Sequence, residues 1–349
     1  MPPPGYEPFL ETILDNPSDD GPRMVYADWL EEQGDPRAEF IRAQLQLARI
    51  AEGDPEWGQL SDRENELLTA HGDKWRAEIP EFARKGCEFR RGFVGQVSIW
   101  TPWDREYGPE LSRLAPVEKL VLHFVAHQME EFAQHPNLRH LSELAILDDQ
   151  MEPHDLWILL NSEAAVNRLT TLQFMGMALL DAGARLFAVS RHLDRLNRLE
   201  LIRCRIGGPG LQEFANRSHL PALRWLDLSD NDGNVNQGSD HSSSLGNDAF
   251  WMLLNSRLMA QLTGLHWNDN GLTSHAIQML SQCPNASNLT HLEIAGNHVG
   301  DPGMRLLMQK FSNLQWLNVA RNPFTNGMAM MLKETFGEHV RVGVPGEST

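Results

Sequence analysis

From about residue 94 onward, apolar positions recur along the chain with a period of about 27 residues. The clearest unit reads Leu289-x-x-Leu292-x-Ile294-x-x-Asn297, and units of the same form begin at Leu169, Leu196, Leu223, Leu262 and Leu314. The second and third apolar positions are two residues apart, so both lie on one face of a strand. A helical stretch follows each strand. The pattern predicts stacked strand–turn–helix units with a parallel sheet on one side and helices on the other.

One interval is longer than the others, between the units that begin at Leu223 and Leu262. The polar run at residues 232–244 accounts for the excess, because removing it restores the usual spacing. This run has no apolar periodicity, and we therefore expect a polar loop inserted into the array.

An asparagine or cysteine three positions after the last strand leucine marks the turn of most units. Asn231, Asn270, Asn297, Asn322 and Cys204 hold this position, with Asp149 and Met177 as variants. We expect the asparagine side chains to bind backbone groups that the turn leaves unpaired. Glycines further along the unit, at 183, 210 and 303, are expected to let each helix approach its strand.

The N-terminal residues have a helical pattern instead. Glu7 to Leu14 is apolar on one side, Pro22 opens a second helix that Gly34 ends, and Asp-Pro pairs at 35–36 and 54–55 open two more. The first strand of the array is expected at Phe93–Ile99. These patterns place a helical domain at residues 1–86 and a solenoid at 87–349.

Two stretches resemble known families. The array, at roughly residues 94–344, resembles the ribonuclease-inhibitor class of leucine-rich repeats. The run from Arg23 to Gln44, RMVYADWLEEQGDPRAEFIRAQ, with Arg91-Gly-Phe93 before the first strand, resembles the bacterial "repeat-companion" domain. The resemblances imply an α/β solenoid, a leucine-rich-repeat horseshoe with the parallel sheet inside and helices outside, preceded by a small all-α domain. They imply a bacterial intracellular protein and supply no activity.

The net charge of the chain limits the classes of binding partner that we expect. The 349 residues carry a net charge of −17, which disfavours nucleic acid and anionic membrane surfaces and favours a basic or mixed-charge protein. The three cysteines, Cys87, Cys204 and Cys283, are widely spaced and form no disulfide framework. The N-terminus has no signal-peptide pattern, and no apolar run has the ~20 residues of a membrane helix. We expect a cytoplasmic monomer.

The candidate binding residues are the strand positions that point away from the leucines, on the concave side of the horseshoe. They include two tryptophans, which are enriched in binding hot spots, and acids that would orient a cationic partner. The candidate set is Trp225, Trp316, Asp227, Glu200, Glu293, His266, His291, Arg198 and Met175. In the competing interpretation the tryptophans only pair with residues of neighbouring strands.

Catalytic and metal-binding patterns are weak. A calcium loop starting at Asp230 fails at its sixth and twelfth positions, Val235 and His241. His123 and His127 are not on one helical face, as an i, i+4 zinc pair requires. We therefore predict no cofactor, no metal and no enzymatic activity, and a protein–protein recognition or scaffold function. The alternative is a regulator of an enzyme, resembling a GTPase activator or an inhibitor, on the same scaffold.

Overall fold

The computed structural model describes residues 5–15, 17, 19–50, 54–111, 117–135, 141–217, 219–231 and 245–343. The chain forms two compact units. Unit 1 contains residues 1–124 and 135–144, and unit 2 contains residues 125–134 and 145–349. The predicted insertion at 232–244 lies outside the described residues.

Unit 1 begins with helices. They are α1 (Glu7–Asp15), α2 (Gly21–Glu32), α3 (Arg37–Leu47), α4 (Trp57–Ala77) and the short α5 (Glu81–Arg84). The strands β1 (Glu88–Arg90) and β2 (Phe93–Ile99), the helix α6 (Tyr107–Leu111) and the strand β3 (Lys119–Leu122) follow. The first four helices lie where the capping and proline signals predicted them. Gly34 follows α2 with φ +70°, a conformation that glycine adopts without strain.

A hairpin is attached to the helices of unit 1 through the Arg91-Gly92-Phe93 turn. Strand β1 pairs antiparallel with β2, and the sequence patterns had not indicated β1. Gly92 has φ +86°, and a Cβ there would lie 2.1 Å from Cγ1 of Ile41 on α3. The Gly92 N–H donates to Oε1 of Gln44 at 2.6 Å, and the Phe93 ring stacks on Tyr26 with centroids 5.6 Å apart. The turn therefore requires glycine in the middle, and Phe93 adds a ring contact with α2.

Unit 2 alternates strands and helices. Its helices are α7 (Met129–Ala133), α8 (Pro153–Asn161), α9 (Glu163–Val166), α10 (Leu180–Val189), α11 (Gly208–Arg217), α12 (Asn247–Leu254), α13 (Ser274–Gln282), α14 (Asp301–Lys310) and α15 (Asn326–Phe336). Its strands are β5 (Thr171–Met175), β6 (Arg198–Ile202), β7 (Trp225–Asp227), β8 (Gly264–His266), β9 (His291–Glu293), β10 (Trp316–Asn318) and β11 (Val340–Arg341), while β4 (Glu143–Ile146) has residues in both units.

The strands of unit 2 are parallel neighbours in chain order from β5 to β11. The repeated leucines of these strands are buried; examples are Leu172, Leu226 and Leu292, exposed by at most 1%. Trp267 takes an inward position in the unit of β8, where its Nε1–H donates to the Leu245 carbonyl at 2.8 Å. The chain is an α/β solenoid preceded by an all-helical region, as the periodicity predicted.

The turn asparagines link successive repeats. Oδ1 of the buried Asn297 accepts the N–H groups of Asn270 and Leu272, at 3.2 and 2.8 Å. Its Nδ2 donates to the carbonyls of Trp267 and Ile294, both at 2.9 Å. These bonds confirm the predicted role of the asparagines, and they reach the preceding repeat as well as the residue's own turn.

One detail of the turn predictions was wrong. Asp148, exposed by 3%, accepts the N–H groups of Val125 and Ala126 at 2.6 and 2.9 Å, whereas Asp149 is exposed. The carboxylate that serves the turn is therefore one residue earlier than the repeat spacing indicated.

The repeat glycines make room for a different neighbour than the one predicted. A Cβ on Gly210 would lie 2.6 Å from Cα of Asp181, and one on Gly303 would lie 3.2 Å from Cα of Ser274. Asp181 and Ser274 belong to the first turns of the preceding helices. Gly210 and Gly303 thus allow a close approach to the preceding helix, and a Cβ on Gly303 would also lie 2.5 Å from Cγ1 of Val299 in its own repeat.

Among the helices of the described residues, none combines the length and the hydrophobicity that a membrane span requires.

Candidate functional site

The candidate residues lie on the face of unit 2 that points away from the buried leucines, which we call the open face. Strand register arranges them in rows. The first row is Thr171, Arg198, Trp225, Gly264, His291 and Trp316; the second is Gln173, Glu200, Asp227, His266, Glu293 and Asn318. All candidates except Met175 fall in these two rows, and Met175 pairs with Ile202 at the far end of β5 and β6.

Trp225 lies at the centre of the first row and extends across β8. A Cβ on Gly264 would be 2.4 Å from Cε3 of Trp225, so the indole occupies the space that any larger residue would fill. The ring reaches His291 on β9 with centroids 4.7 Å apart, and Cζ of Arg198 lies 5.0 Å from the ring centroid on the other side. Trp225 is therefore half-buried by its strand neighbours, and part of its surface remains exposed.

Two carboxylates of the second row have basic partners. The Arg198 guanidinium donates through Nε to Oε1 of Glu200. Oδ2 of Asp227 is 3.2 Å from Nδ1 of His266, and its Oδ1 accepts the Ser229 N–H at 2.8 Å. A carboxylate oxygen can only accept, so Nδ1 of His266 carries a proton in this contact. Nε2 of His266 is buried and has no hydrogen-bond partner.

The third carboxylate, Glu293, is bound only by neutral groups. The Trp316 indole Nε1–H donates to Oε1 at 2.9 Å. Nδ2 of Asn268 and Nδ2 of Asn318 donate to Oε2 at 3.2 and 3.4 Å. These three donors, from β10 and from the segment that follows β8, hold the carboxylate on β9 in a defined position relative to the indole. Within the described part of the chain, Glu293 makes no ion pair.

Burial changes the titration of several groups. It lowers the pKa of His291, and the neighbouring His266 lowers it further while Glu293 acts in the opposite direction. Burial also raises the pKa of the Cys204 and Cys87 thiols. A raised thiol pKa disfavours the thiolate that a nucleophilic cysteine needs.

The candidate set did not include Gly264, Asn268 and Asn318, which position its members. Gly264 had a visible signal, since it is a glycine at a strand position where the other units carry side chains. Strand alternation also places the two asparagines on the open face, but the sequence does not show that they bind Glu293, because this depends on which carboxylate lies across the next strand.

Metal-binding patterns find no support in the described residues, where no group of three or more His, Cys, Asp or Glu side chains could hold an ion. His123 instead stacks on Trp100 with ring centroids 3.5 Å apart, and burial lowers the pKa of its imidazole. The predicted failure of the calcium pattern concerns Val235 and His241, which lie outside the described residues.

These strand–turn–helix units define a class of protein. A family model described as "Leucine Rich repeat" matches residues 285–308, which include β9 and the first part of α14. The match and the repeated asparagine turns support a leucine-rich repeat architecture for this part of the chain. A search of curated proteins finds no match to the chain.

Solved structures provide further similarities. A Bacteroides fragilis protein is 15% identical, with 83% of this chain and 84% of that chain covered, at a TM-score of 0.47. The complex of Rad7 and Elc1 in yeast matches at 15% identity, 97% coverage of both chains and a TM-score of 0.45. An internalin from Listeria monocytogenes matches at 17% identity and a TM-score of 0.38. That match covers 66% of this chain and 54% of the internalin.

Proposed function

We propose that the open face of unit 2 binds a protein partner without catalysing a reaction. The observation that carries the proposal is the position of Trp225, fitted over Gly264 between Arg198 and His291. Tryptophan and arginine are the residue types most enriched in binding hot spots. A tryptophan already held in place loses little conformational entropy when a partner binds, so more of the contact energy contributes to affinity.

The partner that fits this face is basic or of mixed charge. The chain has a net charge of −17, and Glu200, Asp227 and Glu293 lie together in the second row of the open face. A negative potential of this kind accelerates association with a cationic protein and repels phosphate backbones and anionic lipids.

The same face could serve an enzyme regulator, resembling a GTPase activator or an inhibitor. No arrangement among the described residues specifically favours that alternative over simple recognition, and the raised thiol pKa values of Cys87 and Cys204 argue against cysteine catalysis. We therefore place recognition first.

The test begins with affinity capture from native cell extract, followed by purification of each captured protein and measurement of its affinity by calorimetry. Trp225→Ala should weaken binding by about 30-fold or more, the effect of losing a hot-spot residue worth about 2 kcal/mol. Gly264→Ala should also weaken binding, because its new Cβ displaces the Trp225 ring while leaving every original side chain present.

Each variant has a matched control. Trp251 on α12 is 50% exposed and lies outside the open face, so Trp251→Ala should leave affinity unchanged. Gly327→Ala adds the same methyl group on α15, where the nearest heavy atom is 3.9 Å away. A purified partner that binds all four variants as tightly as the unmodified protein would show that the open face is not its binding site.

The N-terminal part and the setting of the protein are further proposals. We propose that residues 1–86 are a repeat-companion domain, that residues 87–349 are a solenoid of the ribonuclease-inhibitor class, and that the protein is a bacterial, cytoplasmic monomer. The resemblance of residues 23–44 supports the first of these, and the glycine turn packed on α3 gives the Arg91-Gly92-Phe93 part of that resemblance a physical reason.

A further inference from the structure

We infer that Glu293 and Trp316 form a seat for one lysine side chain of the partner. This inference rests on the proposed function and specifies its chemistry at one point of the open face. The two residues lie on neighbouring strands, β9 and β10, and both are partly exposed.

Glu293 differs from the other two carboxylates of the second row in the charge of its partners. Glu200 is neutralised by Arg198, and Asp227 faces His266. Glu293 has three N–H donors, all of them uncharged. Such donors orient a carboxylate but carry no net positive charge, so the negative charge of Glu293 is available to attract a cation of the partner.

The Glu293 carboxylate also has a limited number of acceptor positions. A carboxylate has about four lone-pair positions, two on each oxygen. Among the residues that the structure describes, Oε2 of Glu293 accepts from Asn268 and Asn318, which fills both of its positions, while Oε1 accepts from Trp316 alone. One position on Oε1 remains free for an incoming donor.

This count distinguishes lysine from arginine. Arginine binds carboxylates best through two parallel N–H bonds, one to each oxygen. At Glu293 the second bond would have to displace an asparagine, because Oε2 has no free position. A lysine ammonium acts as a point charge and needs only the free position on Oε1.

The Trp316 indole offers an apolar surface to the methylene groups of the lysine. The Trp316 indole is held by its own Nε1–H bond to Oε1, so it lies directly beside the free acceptor position. Lysine buries its methylene groups along apolar surface while its ammonium group stays polar. The indole supplies such a surface next to the carboxylate, and a shorter or neutral side chain would lack one of the two contacts.

The test uses short random peptides displayed on phage, selected against the full-length protein. Selected peptides should share a lysine, and replacing it with acetyl-lysine should weaken binding of the synthetic peptide by about 10- to 100-fold, the effect of losing one charge-assisted hydrogen bond. Replacing it with arginine should weaken binding less than acetyl-lysine does, but measurably. These peptide changes need no protein variant and therefore do not depend on a variant folding.

The matching protein variant is Glu293→Gln, for which we expect a similar loss with the lysine peptide and no loss with its acetylated form. Asp269→Asn is the control with the same change in net charge. Asp269 lies in the turn after β8, is already paired with Arg321 at 2.7 Å, and has φ +53°, where asparagine is well tolerated. Binding by Asp269→Asn should remain within about 3-fold of the unmodified protein, since only screened long-range attraction changes.

The outcomes separate this inference from the proposed function. Peptides that depend on Trp225 but share no lysine, or that bind Glu293→Gln as well as Asp269→Asn, would overturn the lysine seat and leave recognition by the open face standing. Selected peptides that are indifferent to Trp225→Ala and Gly264→Ala would instead contradict the proposed function. Tighter binding of the arginine peptide than of the lysine peptide would show that Oε2 does have a free acceptor position.

Discussion

Replacing Gly92 with alanine tests how the helices of unit 1 hold the β1–β2 hairpin. The substitution has two effects at this position. The backbone has φ +86°, which an L-residue with a side chain adopts only with strain, and the added Cβ would lie 2.1 Å from Cγ1 and 2.9 Å from Cα of Ile41. The second contact is to backbone, so a change of side-chain rotamer cannot relieve the collision.

The magnitude follows from adding the two effects. A side chain in the left-handed region costs about 1–2 kcal/mol, and overpacking of a well-packed core costs about 1–3 kcal/mol. We therefore expect Gly92→Ala to lower the free energy of unfolding by about 2–5 kcal/mol. Displacement of the Gly92 N–H from Oε1 of Gln44, a bond of 2.6 Å, acts in the same direction.

Gly34→Ala separates strain from collision. Gly34 also has a positive φ, +70°, but no atom lies within 4 Å of its Cβ position. Gly34→Ala should therefore lower the free energy of unfolding only by the backbone strain, about 1–2 kcal/mol. The assay is urea denaturation followed by circular dichroism, with hydrogen exchange to assign the loss of protection to α2, α3 and the hairpin.

The difference between the two variants measures the cost of the collision with Ile41. Equal destabilisation by Gly34→Ala and Gly92→Ala would show that the hairpin is not packed against Ile41 as described. A loss of protection confined to unit 2 would refute the reasoning as well, because every contact of Gly92 considered above lies within unit 1.

Other predictions concern unit 2. Asn297→Leu should lower the free energy of unfolding by about 3 kcal/mol or more, because it leaves several buried backbone groups unpaired at about 1–3 kcal/mol each; thermal and urea denaturation would measure this. Asp148→Ala should lower the free energy of unfolding, and Asp149→Ala should leave it unchanged. Equal effects of the two variants would show that Asp148 is not the residue that serves the turn. The pKa of His291 is lowered from 6.5 in the folded protein, so the unfolded chain binds its proton first, and the contribution of His291 to stability should be lost as the pH falls through 6.5 towards the folded pKa. Proton NMR titration of the His291 ring would contradict this if it gave a value at or above 6.5.

Much of the fold was predictable because its determinants are local and repeated. Strand β2 occupies Phe93–Ile99 as expected, since its apolar run follows a turn signal. The asparagine positions were also predictable, because the turn demands the same hydrogen bonds in every repeat. Asp148 was missed for the complementary reason: a repeat spacing shows where a polar residue is expected but not which of two adjacent aspartates turns inward.

The candidate site was less predictable, because its properties depend on contacts across strands. The alternation of residues indicated that Trp225 and Glu293 share one face of the sheet. It did not indicate that Gly264 makes room for the indole, or that Asn268 and Asn318 hold the Glu293 carboxylate. Those relations require the register between strands that are far apart in sequence, and they decide which side chains remain available to a partner.

The hydrogen bonds between turn asparagines have a practical consequence at the inserted segment. Asn231 N–H donates to Oδ1 of Asn270 at 2.9 Å, across 39 positions of sequence, and β7 pairs directly with β8. The two repeats on either side of residues 232–244 are thus joined by bonds that involve none of those residues. Because these bonds join the two repeats directly, and the segment is polar in sequence, we expect the pairing of β7 with β8 to survive insertion of a fluorescent reporter domain there or opening of the chain for circular permutation. Such a reporter would label the protein within the array while leaving both termini unmodified.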